Sequence, residues 1–585
     1  MVEHGSNKPI RELMLQDNKL IQARKQGSKL LFAVGLFSAF VNILMLTGPL
    51  FMLQVYDRVL GSRSNETLVA LFILVVLLYI FMGCLDYARS RVMARFGARF
   101  QAFLDETVFR ASLKSAIVEN NRSKPNTGLR DIESIQSLVS SPAAFAVFDI
   151  PWTPLFLGAI FIFHPLLGWM AVAGGIFLLI ITILNQYLTK KKVIDAAIMS
   201  SQANAFAESA RQATEVIHAQ GMQSAITNRW KQSRDAGLEA SIHSTDFTGI
   251  FTALTKSFRL LLQSAMLAMG AYLVLKNELT PGAMIAGSIL LGRALAPIEM
   301  AIGQWPMVVR ARNGWRSLEQ ILAHQPEPTD KMHRTKPKAH LVVKNLGLVP
   351  PGEKKPTLAG VNFELKPGQV LGVLGKSGSG KSTLAKALVG LWAPVAGEVR
   401  LDGELIQNYD PELFGQYIGY LPQNVSLFHG SVAENVARMV ENPDPELVKT
   451  AVTLAEADTL VKSLPESFDT IIQNGTGRLS GGQKQRLGLA RAIYGDPSMI
   501  VLDEPNAALD ADGSQALNAA IKTFKKQGKI VIIMTHRPMA ISECDMLLYV
   551  DGGNQKAFGT RDEVLSSVVK NAKDVTKVIK GGKAS

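Results

Sequence analysis

Cysteine is almost missing from this chain of 585 residues, which has only Cys84 and Cys544. One lies in an apolar run and the other in a region of soluble composition, so we expect no disulfide between them. Neither has the neighbouring ligands of a metal site, and both are expected to be small buried side chains. We also expect no cleavable signal, because residues 1–28 are polar and the apolar run after them is too long for the apolar region of a signal peptide.

Charged residues are scarce as well, at 19% of the chain against 47% hydrophobic residues. The scarcity is uneven, since residues 29–305 hold long apolar runs with few acids, whereas the chain after residue 340 reads as a soluble α/β domain. The net charge of +13 could indicate a nucleic-acid partner. Many basic residues, however, lie in loops beside the apolar runs, where membrane proteins place them on the cytoplasmic side. This distribution favours a membrane protein and argues against a nucleic-acid partner.

Six apolar runs are long enough to cross a bilayer, because a helix needs about 20 apolar residues to span the hydrocarbon core. Helices are expected because lipid offers no partner to free backbone polar groups. The third and fourth runs are separated only by His164 and Pro165, which predicts a tight reversal. The predicted spans are residues 29–55, 67–88, 143–163, 165–188, 248–275 and 280–305.

Two connections between spans, residues 89–141 and 189–246, are long and basic, and the other connections are short. The positive-inside bias therefore places the N-terminus, both long loops and the C-terminal half in the cytoplasm. Helix-like patterns in the loops indicate that the spans continue into the cytoplasm and return through short turns near 128–137 and 211–220. We expect these turns to contact the soluble domain. Merely solvated loops are the alternative, and a crosslink from a turn to the soluble domain would discriminate.

Three ionisable residues, Arg259, Arg293 and Glu299, fall inside predicted spans. A charge in the bilayer costs several kcal/mol unless it faces water or a partner. They line a hydrated conduit, or they lie at the bilayer edge and extend to its surface; the sequence leaves both interpretations open.

A polar, proline-rich stretch separates the membrane half from the soluble half and is typical of a linker. We divide the chain into an N-terminal cytoplasmic segment (1–28), a transmembrane domain with six helices and two long cytoplasmic loops (29–323), a linker (324–338), a soluble domain (339–570) and a basic tail (571–585).

An apolar strand over residues 370–374 precedes a glycine-rich stretch that fits the pattern of a phosphate-binding loop, or P-loop. Glycines allow backbone N–H groups to close around phosphate oxygens, and the following helix start adds positive potential. Lys381 is expected to reach the β- and γ-phosphates, and Ser382 to bind Mg²⁺. The candidate nucleotide-binding residues are Gly375, Ser377, Gly378, Ser379, Gly380, Lys381, Ser382 and Thr383.

Downstream, residues 499–504 form a buried-type strand that ends in two carboxylates, Asp503 and Glu504. Asp503 is the candidate Mg²⁺ ligand, and Glu504 is placed to polarise the attacking water as general base. Loss of such a base lowers a rate by about 10²–10⁴. A strand that ends in two acids is a weak signal alone, and a P-loop upstream makes it much stronger.

Between these motifs the sequence reads Leu-Ser-Gly-Gly-Gln at 479–483, which resembles the signature motif of ABC ATPases. The resemblance implies that this segment caps the γ-phosphate of ATP held by the other subunit. It also implies catalytic roles for Gln423 (which would also bind the metal) and for His536, besides Glu504. The further nucleotide-binding residues that it implies are Ser480, Gly481, Gly482, Gln483 and Asp510.

Each chain carries one P-loop and one signature motif, and the family's site takes one from each partner. A homodimer is the economical assembly, and a different half-transporter as partner is the alternative. One departure from the family concerns base recognition: exporters usually stack adenine on an aromatic ring before the P-loop, whereas residues 346–352 contain none. We therefore expect weak selectivity for ATP over GTP.

The sequence of the membrane half resembles one branch of this family. Residues 148–154, 163–169 and 504–506 resemble the permease/ATPases of type I secretion systems, the branch that exports proteases and RTX proteins. The resemblance implies a six-span α-helical ABC exporter transmembrane domain joined to an α/β P-loop nucleotide-binding domain, in a bacterial inner membrane. It implies ATP and Mg²⁺ as cofactors, and as partners a periplasmic membrane fusion protein, an outer-membrane channel and an unfolded polypeptide with a C-terminal signal. An N-terminal peptidase-like domain is not expected.

Other functions remain open at this point. A half-size exporter or flippase of lipids or small amphiphiles would have the same motor, so only its response to substrates would discriminate. A soluble ABC ATPase that acts in repair or translation conflicts with the six spans. A scaffold with an inactive ATPase conflicts with the intact Lys381, Asp503, Glu504 and His536.

Overall fold

The computed structural model describes residues 19–118, 128–323, 336–472, 479–506, 511–536 and 541–568. The chain forms two compact units, one from residues up to Gln325 and the other mainly from Pro326 onward. The described part of the first unit is helical. Its helices are α1 (Lys19–Gln26), α2 (Ser28–Leu44), α3 (Thr47–Gln54), α4 (Leu60–Ser62), α5 (Asn65–Val118), α6 (Gly128–Val139), α7 (Pro142–Asp149), α8 (Thr153–Phe163), α9 (Pro165–Gln212), α10 (Thr214–Ala219), α11 (Gln223–Leu275), α12 (Pro281–Gly303) and α13 (Trp305–Ala323).

Six helical stretches of the described chain are long and apolar enough to cross a membrane, and each contains one of the predicted runs or nearly all of it. The first stretch includes a π-helical turn at Val55–Val59, and the third includes a 3-10 turn at Ile150–Trp152. The six stretches are Ser28–Ser62, Asn65–Ile117, Pro142–Phe163, Pro165–Gln212, Gln223–Leu275 and Pro281–Gly303.

Three of these helices are far longer than a bilayer is thick. Helices α5, α9 and α11 have 54, 48 and 53 residues. At about 1.5 Å per residue they extend over roughly 70–80 Å, against about 30 Å of hydrocarbon. The expectation that the spans continue beyond the membrane through the two basic connections is therefore confirmed.

One of the two predicted turns is confirmed and the other is wrong. Helix α9 ends at Gln212 and α11 begins at Gln223, with only the short helix α10 between them. Residues 128–137, however, lie within helix α6 and not in a turn. The apolar residues Ile132 and Ile135 recur on one side of α6 and are buried in a cluster with Leu318 of α13. Burial of that amphipathic face stabilises a helix where the position in a long loop had suggested a turn.

The short connections between spans are determined by local sequence. His164 is extended and its Nδ1 accepts the N–H of Leu166, while Pro165 opens α9. The predicted reversal at this point is confirmed. Thr280 caps α12 through the N–H of Ala283, and Asp57 accepts hydrogen bonds from the Thr280 hydroxyl at 2.7 Å and the Gly282 N–H at 2.9 Å.

The ionisable residues inside the spans have different surroundings. Arg259 Nε lies 2.8 Å from Glu299 Oε2, and both side chains are about one quarter exposed. Arg293 is exposed. Mutual pairing of opposite charges on α11 and α12 lowers the cost of holding them in a membrane unit.

A second charge pair, deeper in this unit, joins three helices. Arg89 of α5 is 7% exposed, and its Nη1 lies 3.1 Å from Asp149 Oδ1 at the end of α7. Asp149 also accepts a hydrogen bond of 2.8 Å from Asn42 of α2. Asp86 lies 2.6 Å from Arg89 Nε. Because a buried charge is costly without a partner, this network fixes α2, α5 and α7 to one another.

The second unit is an α/β domain. Its strands are β1 (Leu341–Leu348), β2 (Leu358–Leu365), β3 (Val370–Leu374), β4 (Ala396–Leu401), β5 (Glu404–Leu405), β6 (Ile418–Leu421), β7 (Gly430–Ser431), β8 (Ile471–Ile472), β9 (Met499–Asp503), β10 (Ile530–Met534), β11 (Met546–Asp551) and β12 (Asn554–Thr560). Its helices are α14 (Lys381–Leu388), α15 (Pro411–Tyr417), α16 (Val432–Val436), α17 (Pro445–Leu454), α18 (Asp458–Ser463), α19 (Gly481–Ile493), α20 (Ala511–Lys526) and α21 (Arg561–Val568).

Ten of the strands form one sheet in the order β5-β4-β1-β2-β12-β11-β3-β10-β9-β6. Strands β1, β2 and β4 pair antiparallel, whereas β3, β10, β9 and β6 are all parallel. The parallel strands are almost fully buried, which their continuous runs of Val, Ile, Leu and Met predict. Their carboxyl ends meet at one edge of the sheet, which is where α/β domains bind ligands.

Candidate functional site

The P-loop joins the end of β3 to the start of α14. Gly378 and Gly380 have φ angles of +78° and +102°, a region that favours glycine. A Cβ atom at Gly375 would come within 2.3 Å of the Val550 carbonyl oxygen and 2.5 Å of Ser379 Oγ. The glycines are therefore required by the path of the loop, and the loop forms in the predicted place.

Lys381, the first residue of α14, is 7% exposed. Its ammonium group donates hydrogen bonds to the carbonyl oxygens of Gly375 at 2.8 Å and Lys376 at 2.9 Å, so the side chain folds back over the loop. Burial lowers the pKa of Lys381, while the negative charges of Glu504 and Asp503 oppose that shift. A cation is thus held inside the glycine-rich turn, where a phosphate could replace the two carbonyl oxygens as its partner.

Asp503 ends strand β9 and is 2% exposed. Burial raises the pKa of Asp503, while a hydrogen bond from Ser382 and the charge of Lys381 oppose the rise. Within the described chain, Asp503 Oδ1 and the buried Ser379 Oγ have no hydrogen-bond partner. A buried polar atom without a partner is costly, so these two oxygens suit a bound cation and a phosphate group.

Glu504 follows Asp503 and carries two side-chain contacts. Gln423 Nε2 donates a hydrogen bond of 3.0 Å to Glu504 Oε2, and His536 Nδ1 lies 3.6 Å from Glu504 Oε1. Gln423 follows β6 and His536 follows β10, so the parallel sheet brings together residues that are distant in sequence. The three residues predicted to be catalytic are therefore neighbours, and the Glu504 side chain is still 21% exposed.

The signature segment begins helix α19. Ser480 accepts the N–H of Gln483, and the Gln483 side chain accepts the N–H of Ser480 at 2.8 Å, which forms a capping box. Ser480 and Gly481 are exposed at the helix start, where the backbone N–H groups carry partial positive charge. Among the residues that the structure describes, no hydrogen bond joins Ser480, Gly481 or Gly482 to the P-loop of the same chain. Asp510 lies outside the described residues.

Two neighbours of the site did not emerge from the sequence. Gln485 Nε2 donates a hydrogen bond of 3.0 Å to the carbonyl oxygen of Glu504. Tyr420 of β6 is half-buried, and burial together with the charge of Asp503 raises its pKa to about 12. No motif marks either residue, because only the meeting of α19, β6 and β9 brings them to the site.

The arrangement can bind a polyphosphate and assist its hydrolysis. The glycine turn and Lys381 suit phosphate oxygens, and the Ser382–Asp503 pair suits a hard divalent cation with oxygen ligands. In the described part of the chain, no three His, Cys, Asp or Glu side chains are placed so that they could hold a metal ion by themselves. A metal at this point would therefore share its coordination with the nucleotide, as Mg²⁺ usually does.

Two family models and several known proteins match this chain. Residues 31–295 match the family model of the ABC transporter transmembrane region, and residues 358–507 match that of the ABC transporter. The type I secretion system ATP-binding protein PrsD of Rhizobium meliloti is 40% identical over 92% of each chain. The leukotoxin translocation ATP-binding protein LktB of Mannheimia haemolytica is 26% identical over 91% of this chain and 75% of its own length.

A solved structure shares the fold. A bacterial Atm1-family ABC exporter with ATP bound superposes with a TM-score of 0.81, over 96% of this chain and 99% of the other. Its sequence identity is 21%, so the likeness concerns the fold alone.

Proposed function

Because this chain belongs to the ABC transporters, as an ATP-hydrolysing exporter of the type I secretion family, we propose that it works as a homodimer that moves unfolded polypeptides. It is a multi-pass protein of the bacterial inner membrane with its ATPase domain in the cytoplasm. The proposal concerns the assembly, the cargo and the role of each site residue.

The proposal of a homodimer is based on one observation: the start of helix α19, which contains the signature segment, is exposed. Ser480 and Gly481 are exposed residues at the start of α19, and no hydrogen bond within the described chain joins them to the P-loop. A helix start of this kind is a ready anion site. A second copy of the chain would place its Ser480 over the nucleotide held by the first, which completes two sites per dimer.

The chemistry follows from the residues around Glu504. The P-loop glycines and Lys381 hold the phosphates of ATP, and Glu504 accepts a proton from the water that attacks the γ-phosphorus. Gln423 and His536, which already contact its two carboxylate oxygens, orient Glu504 and the water. The new bond forms between phosphorus and the water oxygen, and the bond to the ADP oxygen breaks. Such positioning supplies most of the catalysis in phosphoryl transfer.

The donor set suits Mg²⁺ as the cofactor of this reaction. Ser382, Asp503 and the Gln423 side-chain oxygen would hold the ion together with phosphate oxygens. When bound, it would neutralise charge on the transferred phosphoryl group. The buried Asp503 Oδ1 without a partner supports this assignment.

Transport requires that closure of the nucleotide sites moves the membrane helices. We propose that residues 211–220, where the chain reverses from α9 to α11 through α10, transmit this closure to the membrane helices. ATP binding can shift the transporter from one conformation to another only as far as ATP binds the second conformation more tightly than the first. Hydrolysis then returns the transporter to the first conformation.

The names of two relatives support the proposed class of cargo. One relative is a type I secretion ATP-binding protein and the other a leukotoxin translocation protein, which supports a polypeptide cargo. We propose a cargo with a C-terminal signal, a periplasmic membrane fusion protein and an outer-membrane channel as partners.

The test is the ATPase of purified protein in lipid vesicles. A peptide that carries a type I C-terminal secretion signal should change the hydrolysis rate, whereas a scrambled peptide of equal composition should not. The Glu504→Gln variant gives the background rate. A response to lipids or small amphiphiles, with none to the signal peptide, would refute polypeptide export and favour a flippase.

A further inference from the structure

The main chain at Glu504 adopts a conformation that side chains rarely tolerate. Its φ angle is +51°, in the left-handed region. Such a residue persists only where its surroundings hold it, and such residues cluster at active sites. Its N–H donates to the Met534 carbonyl oxygen at 2.9 Å, which fixes the peptide on its amino side.

Gln485 holds the other side of this residue. It is 4% exposed, and its Nε2 lies 3.0 Å from the Glu504 carbonyl oxygen. A hydrogen bond from this buried amide donor is favourable, and removal of the donor leaves the carbonyl oxygen without that partner. The two peptide groups that flank Cα of Glu504 therefore have separate anchors, one from β10 and one from α19.

The anchor on α19 is rigid because the end of that helix is fixed as well. Arg438 reaches the carbonyl oxygens of Arg491 and Ala492 at 3.3 Å and of Tyr494 at 3.0 Å. It also reaches the carbonyl oxygen of Ile418, where β6 begins. Strand β6 leads to Gln423, so the groups that meet the Glu504 main chain and its carboxylate belong to one connected framework.

The orientation of the flanking peptides sets the direction of the Glu504 side chain. A misplacement of about 1 Å can lower a catalysed rate by roughly 10²-fold. We infer that Gln485 is a positioning residue: its bond to the Glu504 carbonyl holds the general base against Gln423 and His536. The inference rests on the proposed role of Glu504 as general base, but the contacts that it concerns lie within one chain and do not depend on the cargo.

The test measures MgATP hydrolysis by the full-length protein in lipid. Gln485→Met keeps the side-chain length and removes the donor, and we expect kcat to fall about tenfold with KM within about twofold. Gln527→Met makes the same change at an exposed position of the soluble domain and should keep the parent rate. A kcat for Gln485→Met equal to that control would overturn the inference.

A double variant separates positioning from general damage. If Gln485 acts through the base, Gln485→Met should have no further effect on the residual rate of Glu504→Gln, because coupled residues are not additive. A further tenfold loss in the double variant would overturn the inference.

If the Gln485→Met variant does not fold, the Gln485→Glu variant provides a second test. The ionised carboxylate of this variant cannot donate a hydrogen bond to the Glu504 carbonyl oxygen, whereas the neutral carboxyl can. Burial raises the pKa of a carboxyl and so favours its neutral form. The activity of this variant relative to the parent should rise as pH falls from 8 to about 6. A constant ratio over that range would contradict the role of the donor.

Discussion

Replacement of Glu504 by glutamine tests the role of its carboxylate as proton acceptor, because the substitution changes little else. The glutamine side chain has the same length, and its amide oxygen can still accept the hydrogen bond from Gln423 Nε2 that is now 3.0 Å long. His536 lies 3.6 Å away, so little binding energy is lost there. The change should therefore leave the fold and the P-loop intact and remove only the basic oxygen.

The expected loss in kcat is about 10²–10⁴, the usual contribution of general base catalysis. This corresponds to about 3–5 kcal/mol in the activation free energy, since each tenfold change equals about 1.4 kcal/mol. ATP affinity should change by less than about threefold, because phosphate binding rests on Lys381 and the glycine turn.

The assay is steady-state phosphate release from MgATP by reconstituted protein, with ATP binding measured on the same preparation. Glu441→Gln, which removes a charge at an exposed position of the same domain, is the control and should keep the parent rate. Unchanged hydrolysis in Glu504→Gln would remove this residue from the role of base. Loss of ATP binding together with activity would mean that Glu504 acts through the fold of the site.

Lys381→Ala should abolish ATP binding, because the alanine provides no cation within the P-loop; tight binding by equilibrium dialysis would contradict the phosphate cradle. Asp149→Ala should lower the stability of the membrane unit by about 1–3 kcal/mol, because buried Arg89 loses a charged hydrogen bond; an unchanged melting temperature in detergent would contradict this. Burial raises the pKa of Cys544 to about 12, so roughly 10⁻⁴ of it is thiolate at pH 8; a maleimide should label it only after unfolding, and rapid labelling of the folded protein would refute its burial. Since no aromatic ring precedes the P-loop, kcat/KM for GTP should lie within about tenfold of that for ATP; a preference above about a hundredfold would show that another group reads the base.

Features that depend on residues close together in the sequence could be predicted. The six spans depend on apolar composition and length, and the P-loop depends on glycines between an apolar strand and a helix. Residues such as Gln423 and His536 were reached only through a family resemblance. The parallel order of β3, β10, β9 and β6 then explains why they meet Glu504.

Features that depend on packing between distant elements could not be predicted. Residues 128–137 were assigned to a turn by their position in a long loop, whereas burial of Ile132 against α13 makes them part of a helix. The pairing of Arg259 with Glu299 depends on the register of α11 against α12. Gln485 reads as one more polar residue after the signature motif, and only its burial beside Glu504 gives it a role.

The central claim is that each nucleotide site takes its P-loop from one chain and its signature helix from another. The most direct measurement is ATP hydrolysis by heterodimers isolated through two different affinity tags. One heterodimer carries Lys381→Ala in one protomer and Ser480→Arg in the other, and the second carries both substitutions in one protomer beside a wild-type partner. Shared sites predict hydrolysis in the first, which keeps one intact site, and none in the second. Activity in the second heterodimer and none in the first would contradict the shared site.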